Sequence, residues 1–519
     1  MSLLGRARLV IPAAALCASA SYGWWRTISP EDNPPTVTRR EVAQHSRRDD
    51  AWVVIDNKAY DVTSFLDSHP GGDHILYRKA GQDVTAAYHA MGHSQAASQL
   101  RSGLYVGDVV ESPSTETTDV DVAVIGAGIC GCAAALGLAE AGVDVCVVEA
   151  KPIVGGTGLR SSAIMWIGPL LEKTDGGSGS LTAWLGHRSF HRLQQMEDEG
   201  DDIGFLPRGT IGLVHTEEQK QNAMRIFGKG GRLDGGGEWL NAKQVLAKEP
   251  LVNPDAIVGG IYHPKGATVD PWSVCDALRR RSERAGAEFA LETTVKDVVS
   301  EGDGHTLVCQ TSGGKERRIR AKRVLICNGW KARDTAALVG CEVPVEPIHG
   351  QMISIETDDE SKLNHNVYSW EALTFWHQNR MPHRCTVDAD SLERYTRHFY
   401  GMQQGNGMFK FGGDRIQGDW NGKVMEDGIQ TTFEQLASLF PHIAEHGTVR
   451  GSWSGTMPFT PDQRLIMGEL KPGIWVLTGS GFMRGIASGE CLASMVLKTS
   501  IPGFTPSMKR ESDPTRFTK

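Results

Sequence analysis

Apolar and polar positions along this chain fall into blocks that read as strands, helices and linkers in turn. Trp52-Val53-Val54-Ile55 reads as a half-buried strand, and Asn57-Lys58-Ala59-Tyr60-Asp61-Val62 as its hairpin return. The stretch Glu111 to Thr118 is polar and without periodicity, which predicts a short linker ending where a strand begins. Asp121-Val122-Ala123-Val124-Ile125 then predicts a buried strand, Cys132 to Ala141 a helix, and Val145-Cys146-Val147-Val148 a second strand. Further on, Val324-Leu325-Ile326-Cys327 reads as a buried strand leading into the turn Asn328-Gly329-Trp330. The segment from Val476 to Gly485 reads as a strand, a glycine loop and a helix start. No solenoid repeat is visible.

Length changes the picture first. A chain of 519 residues exceeds what one core usually serves, so several domains are expected. Hydrophobic content of 40% and charged content of 22% are those of a globular protein. A net charge of -8 argues against nucleic acid as a partner and shows no polybasic membrane patch. Ten cysteines make neither a small disulfide scaffold nor a paired Cys-x-x-Cys metal motif, so no zinc or iron-sulfur site is expected. Residues 1–34 read as a targeting segment. Arg6 and Arg8 precede the apolar stretch Leu9 to Ala20, and no acidic residue appears before Glu31. That order suits a secretory signal with Ala18-Ser19-Ala20 as cleavage site, and it suits a mitochondrial leader. The mitochondrial intermembrane side is the favoured reading, because free cysteines and a cytochrome c-type acceptor fit there. Membrane contact is expected only if this segment, with Trp24-Trp25-Arg26, is retained.

The chemistry begins at His69-Pro70-Gly71-Gly72 and Gly92-His93-Ser94. Pro-Gly-Gly forces a tight turn and lets backbone pass close to a flat ligand. Two imidazoles on one haem iron leave no open position, so such a site carries single electrons. With Phe65-Leu66 before the first histidine and Ala80-Gly81-Gln82-Asp83-Val84-Thr85 before the second, residues 36–110 resemble the cytochrome b5 family. The resemblance implies haem b in a domain spanning 35–110, with His69 and His93 as axial ligands and Phe65, Leu66 and Ile75 among the haem walls. His89 lacks the flanking glycine and serine and is assigned no ligand role.

A second signature follows the linker. Gly126-Ala127-Gly128-Ile129-Cys130-Gly131 joins a strand to a helix, and Glu149 ends the next strand 23 positions after the first glycine. Gly126 makes the turn, Gly128 admits the pyrophosphate and Gly131 allows close helix–strand packing. The helix amino terminus faces the phosphates, and Glu149 is placed to bind a ribose. Cys130 and Cys132 read as small buried residues of this unit. FAD and NAD share this fingerprint. Gly155-Gly156-Thr157-Gly158-Leu159-Arg160-Ser161-Ser162-Ala163, Gly266-Ala267-Thr268-Val269-Asp270-Pro271, Thr294-Val295, Phe459-Thr460-Pro461-Asp462 and Thr478-Gly479-Ser480-Gly481-Phe482-Met483-Arg484-Gly485 resemble the D-amino-acid oxidase-like flavoproteins. The resemblance covers residues 119–500. It implies FAD, with contacts from Gly126, Gly128, Gly131, Glu149, Gly156, Thr157, Ser161, Ser162, Val295, Gly329, Gly479, Gly481, Phe482, Met483 and Gly485; no His or Cys stands out as a covalent attachment site, so the FAD is expected to be non-covalent.

The fold implied is an α+β haem-binding module followed by an α/β Rossmann-type FAD domain with an inserted antiparallel-sheet substrate domain. The linker is 111–118 and the flavoprotein domain 119–505, its flavin part assembled from about 119–175, 265–345 and 450–500. Residues 506–519 read as a polar tail. For substrate, the resemblance implies an amine or amino acid oxidised at its carbon–nitrogen bond. Many relatives carry an arginine before Pro458 that clamps a carboxylate, and here that position is Met457. Arg160, Arg415 and Arg484 are the alternative clamps. The aromatics Tyr368 and Trp370 through Trp376-His377 are candidates for a cage around a cationic amine, against core packing as the plain reading. His349 stands where relatives often carry arginine beside the flavin. No catalytic base is assigned. The expected activity is a flavohaem dehydrogenase with an external, cytochrome c-type acceptor. The alternatives are an oxygen-using oxidase with a regulatory haem module and a non-catalytic redox relay.

Overall fold

The computed structural model describes residues 35–70, 72–91, 93, 95–110, 117–166, 181–227, 237–369, 394–417 and 423–517. In the first module, the strands Asp50–Ile55 and Lys58–Asp61 form the hairpin expected from their alternation. Asp56 and Asn57 both adopt left-handed backbone, with φ of 53° and 57°. That is the turn whose twist matches a two-residue hairpin, and short polar side chains tolerate it best. Five strands make the sheet, and Val53, Ile55, Tyr60, Leu66 and Val84 pack into its main core. Val53, Val54 and Ile55 are all buried, more deeply than a half-exposed strand.

The flavin domain is built on a parallel sheet. Strand Thr117–Ile125 lies between Val145–Val148 and Glu316–Ile326, and Ile474–Thr478 pairs beyond the latter, all parallel. Alternate residues face opposite cores, as the pleat requires. Val122, Val124, Val145 and Val147 pack under the helices Ile129–Glu140, Pro271–Arg284 and Gly485–Val496. Ala123, Ile125, Cys146 and Val148 pack on the other side, against the meander Thr293–Ile326.

The second large sheet has eight strands, antiparallel except where Thr210–Val214 runs parallel to Asn366–Ser369. Its far face carries Ile353, Ile355, Phe409 and Phe411 against Leu436, Phe440 and Ile443 of the covering helices.

The boundaries differ from the sequence reading in three places. Strand Gly447–Phe459 pairs with Glu346–Thr357 in the substrate sheet along its length, so the chain re-enters the flavin domain only after Phe459. Helix Leu181–Asp198 buries Leu181, Leu185 and Leu193 in the flavin-domain core, because its apolar stripe faces the helix Gly485–Val496. The carboxyl-terminal segment is folded: Pro506–Ser512 is a helix that contributes Met508 to the same core. Arg516 then ties the segment down. It donates to Asp462 from Nε at 2.8 Å and to the carbonyls of Arg464 and Leu465 at 3.1 Å.

The two modules touch. Gln82 Nε2 donates to Asp276 Oδ1 at 3.4 Å, and Lys79 Nζ lies 5.6 Å from the centre of the Trp272 ring. Both partners sit on the helix Pro271–Arg284, which packs against the loop Gly156–Arg160.

Candidate active site and haem pocket

In the first module, His69 ends the helical turn Thr63–Ser68 and His93 follows the helix Thr85–Ala90. His69 Nδ1 bonds the Gly72 carbonyl at 3.1 Å, and His93 Nδ1 bonds the Tyr88 carbonyl at 2.8 Å. A carbonyl only accepts, so each ring carries its proton on Nδ1 and keeps the Nε2 lone pair for a metal. The Phe65 ring stands edge-on to His69, and the Tyr88 ring stacks on His93. Leu66 is buried in the core. Ile75, Met91 and Leu100 are 47%, 75% and 60% exposed, apolar surface of the kind a flat hydrophobic ligand covers. His89 is engaged elsewhere, with Nε2 at 2.7 Å from Asp56 Oδ1. These residues fit a haem.

The second site is a cavity of about 1300 Å³ between the flavin domain and the substrate sheet. Gly126, Gly128, Glu149, Gly156, Thr157, Ser161, Ser162, Val295, Gly329, Gly479, Gly481, Phe482 and Met483 all line it. Gly126 has φ of 103°, and a Cβ there would stand 2.8 Å from Asn328 Cα. Gly128 is different: its φ is an ordinary -72°, and a Cβ would meet nothing within 4 Å. Neither backbone strain nor neighbouring protein atoms require a glycine there, so the constraint belongs to what fills the cavity. Glu149 Oε2 accepts from Ala127 N at 2.8 Å and Oε1 from Lys151 N at 2.9 Å, which fixes the carboxylate at the cavity wall.

Gly131 and Gly485 lie outside the lining. A Cβ on Gly131 would come within 1.9 Å of Gly126 O, and one on Gly485 within 2.4 Å of Ile129 Cγ2. Both are packing glycines, the second letting the helices Ile129–Glu140 and Gly485–Val496 approach. Cys130 lines the cavity, but burial pushes its thiol up to about 12.

All three candidate clamps line the cavity, but in different ways. Arg160 is exposed, with its carbonyl accepting from Trp453 Nε1 at 3.1 Å. Arg484 is committed to the flavin loop, donating from Nε to Ser480 O at 2.6 Å, and burial lowers it to about 10. Arg415 is 6% exposed and lines the substrate end of the cavity with Met352, Tyr368, Tyr400 and Met457. His349 turns the other way: it is fully buried and its Nε2 donates to the Lys423 carbonyl at 2.9 Å. The strand alternates, so Gly350 takes the cavity side instead. Of the aromatic segment, Tyr368 faces the cavity, while Trp370, Trp376 and His377 lie outside the described residues. Sequence reading missed Tyr400 and Thr182, whose positions carry no motif.

The family model for FAD dependent oxidoreductases matches residues 121–495. The chain belongs to that family. A cytochrome b5-like heme/steroid binding domain matches residues 38–110. The flavoprotein part is 26% identical to a glycine oxidase of Geobacillus kaustophilus over 387 residues, 72% of this chain and 92% of that protein. The first module is 46% identical to cytochrome b5 of Saccharomyces cerevisiae over 76 residues, 15% of this chain and 63% of that one. Among solved structures, L-proline dehydrogenase from P. horikoshii superposes with a TM-score of 0.63 at 19% identity, covering 78% of this chain and 98% of that one. The protein is thus an FAD-dependent oxidoreductase with a fused haem module, and FAD and haem are its cofactors.

Proposed function

We propose that this enzyme is a flavohaem dehydrogenase of an amine or modified amino acid, delivering electrons through its own haem to an external carrier of the cytochrome c type. When bound, FAD would supply two-electron oxidation of a carbon–nitrogen bond and haem would supply single-electron transfer. The chain's residues do the rest. His69 and His93 would hold the haem iron through Nε2, their rings oriented by the Gly72 and Tyr88 carbonyls. The glycine loops at 126–128, 155–158 and 479–481 hold the FAD, with Glu149 toward its ribose. Tyr368, Tyr400 and Met352 wall off the substrate end and exclude water from the reacting carbon.

The observation that carries this reading is the contact between the modules. The haem module docks on the helix Pro271–Arg284, and that helix packs against the loop at the flavin cavity. An oxidase reacting directly with oxygen needs no such carrier. The substrate class follows the names of the relatives, a glycine oxidase and a D-amino acid dehydrogenase. The mitochondrial intermembrane side suits an acceptor of this kind. The glycine oxidase likeness favours the second reading, an oxidase with a regulatory haem. Anaerobic mixing with a panel of amines and amino acids separates the two. Flavin bleaching followed by haem reduction supports the dehydrogenase. Flavin bleaching with an unchanged haem, and rapid peroxide formation in air, would establish the oxidase.

A further inference from the structure

Arg415 reaches the cavity because the backbone around it is irregular. In the strand Phe409–Gln417, Phe409 and Phe411 point to the covering helices, while Lys410 and Gly412 pair with Ser354 and Met352 on the opposite, flavin-facing side. Strict alternation would send residue 415 to the helices with the two phenylalanines. Between Gly412 and Arg415, however, the strand takes three steps while its partner takes two, from Met352 to Gly350. The extra residue is a bulge, and it reverses every side chain beyond it. Asp414 and Ile416 take the helix side, Asp414 accepting from Gln351 Nε2 at 2.7 Å. Arg415 takes the flavin side, opposite Gly350. Gly413 permits this: its φ is 145°, and a Cβ would fall 1.3 Å from His398 O.

We propose that Arg415 is the substrate's carboxylate anchor, so that the preferred substrate is an amine bearing a carboxylate; this rests on the dehydrogenase reading above. A guanidinium offers two parallel N–H donors that match a carboxylate and no other common group of an amine substrate. The sheet is cleared for it. Gly350 carries no side chain between Arg415 and Met457, and the Met457 methyl fills part of that gap, 3.0 Å from where a Cβ of Gly350 would lie. The Tyr400 ring lies across Gly412, whose Cβ would come within 3.3 Å of its hydroxyl, and that hydroxyl hydrogen-bonds Arg415. Burial raises the Tyr400 phenol, so it stays protonated and orients the guanidinium. His398 beside them is kept neutral by burial and by the Arg415 charge. The anchor therefore stands two strands away from Met457 and serves the same cavity.

The test uses the full-length holoenzyme and two simple carboxylates, acetate and benzoate, as probes read by the change in flavin absorbance. The wild type should bind both. Arg415→Met should weaken them by at least a hundredfold with FAD content unchanged, and Arg415→Lys should fall between. The Arg415→Met, Met457→Arg double variant should recover at least tenfold, because it returns a guanidinium to the same space. If Arg415→Met loses FAD, the lysine variant and Tyr400→Phe decide, since each keeps volume and each should weaken the probes. Probe affinities within threefold of wild type in these variants, or no carboxylate binding by the wild type, would overturn the anchor. Haem reduction is scored separately. Probe binding that depends on Arg415 without haem reduction would leave the anchor standing and sink the dehydrogenase reading.

Discussion

His93 lies flat against Tyr88, ring centres 4.2 Å apart at 5° between planes, while its Nδ1 donates to the carbonyl of the same residue. One residue thus fixes both the plane and the tautomer of an imidazole whose Nε2 is left for iron. His93→Ala or His69→Ala should convert a low-spin, six-coordinate haem spectrum to a five-coordinate one and weaken haem retention. His89→Ala should leave the spectrum unchanged and cost at most about 1 kcal/mol, the worth of its exposed contact with Asp56. A low-spin haem surviving in His93→Ala would show the ligand assignment to be wrong.

Two glycines of the nucleotide loop should fail in different ways. Gly128→Val meets empty cavity, so the apoprotein should keep its stability to about 1 kcal/mol while FAD retention falls by orders of magnitude. Gly131→Ala drives a methyl into Gly126 O and should destabilise the folded apoprotein by about 3 kcal/mol. Thermal unfolding with and without added FAD distinguishes them. Equal stability losses in the two apoproteins would count against a cofactor constraint at Gly128.

The carboxyl-terminal segment should be released by acid. Burial pushes the Asp462 carboxyl up, but the Arg516 guanidinium and the Arg464 backbone N–H outweigh it and hold the group below its ordinary value. A carboxylate depressed on folding stabilises above its unfolded pKa, roughly 4, and loses that contribution as pH falls through the lower folded value. Hydrogen-exchange protection of residues 505–517, relative to the intrinsic amide rate at each pH, should therefore fall below about pH 4. Asp462→Asn should show high exchange already at neutral pH, with a loss of about 1–2 kcal/mol. Protection factors that stay constant from pH 6 to 3 in the wild type would exclude this role.

The contact between modules should govern how fast electrons cross. Burial lowers the Lys79 ammonium, with Asp276 opposing, so its charge is partly shielded from salt. Removing the Trp272 ring should cost the docked state about 0.5–1 kcal/mol, a roughly two- to fivefold loss of population. In Trp272→Ala, haem reduction should slow by that factor while flavin reduction by substrate keeps its rate. Stopped-flow traces at the haem and flavin wavelengths give both numbers, and an unchanged haem rate would remove the contact from the electron path.

Much of this molecule was readable from local pattern. The hairpin at Asp56-Asn57, the strand–turn–helix at Gly126–Gly131 and the two histidines each depend on residues close in sequence, and spacing reports them. What escaped depends on distant partners. The helix Leu181–Asp198 joins the flavin core because of what it packs on. The tail folds because Arg516 finds Asp462 and the carbonyls of Arg464 and Leu465, more than fifty residues away. His349 and Gly350 differ by one position, and only the sheet register says which of them meets the cavity.

The bulge at Gly413 also bears on how this cavity can evolve. A one-residue deletion inside a strand normally turns a buried face outward and is lost to selection. Here a deletion of that glycine would remove the extra residue and leave Asp414 opposite Gln351 and Arg415 opposite Gly350, so the cavity wall would keep its arginine. An extra residue inserted between Gly413 and Arg415 would instead turn the arginine toward the covering helices. The bulge therefore makes this wall of the cavity tolerant of losing a residue and sensitive to gaining one.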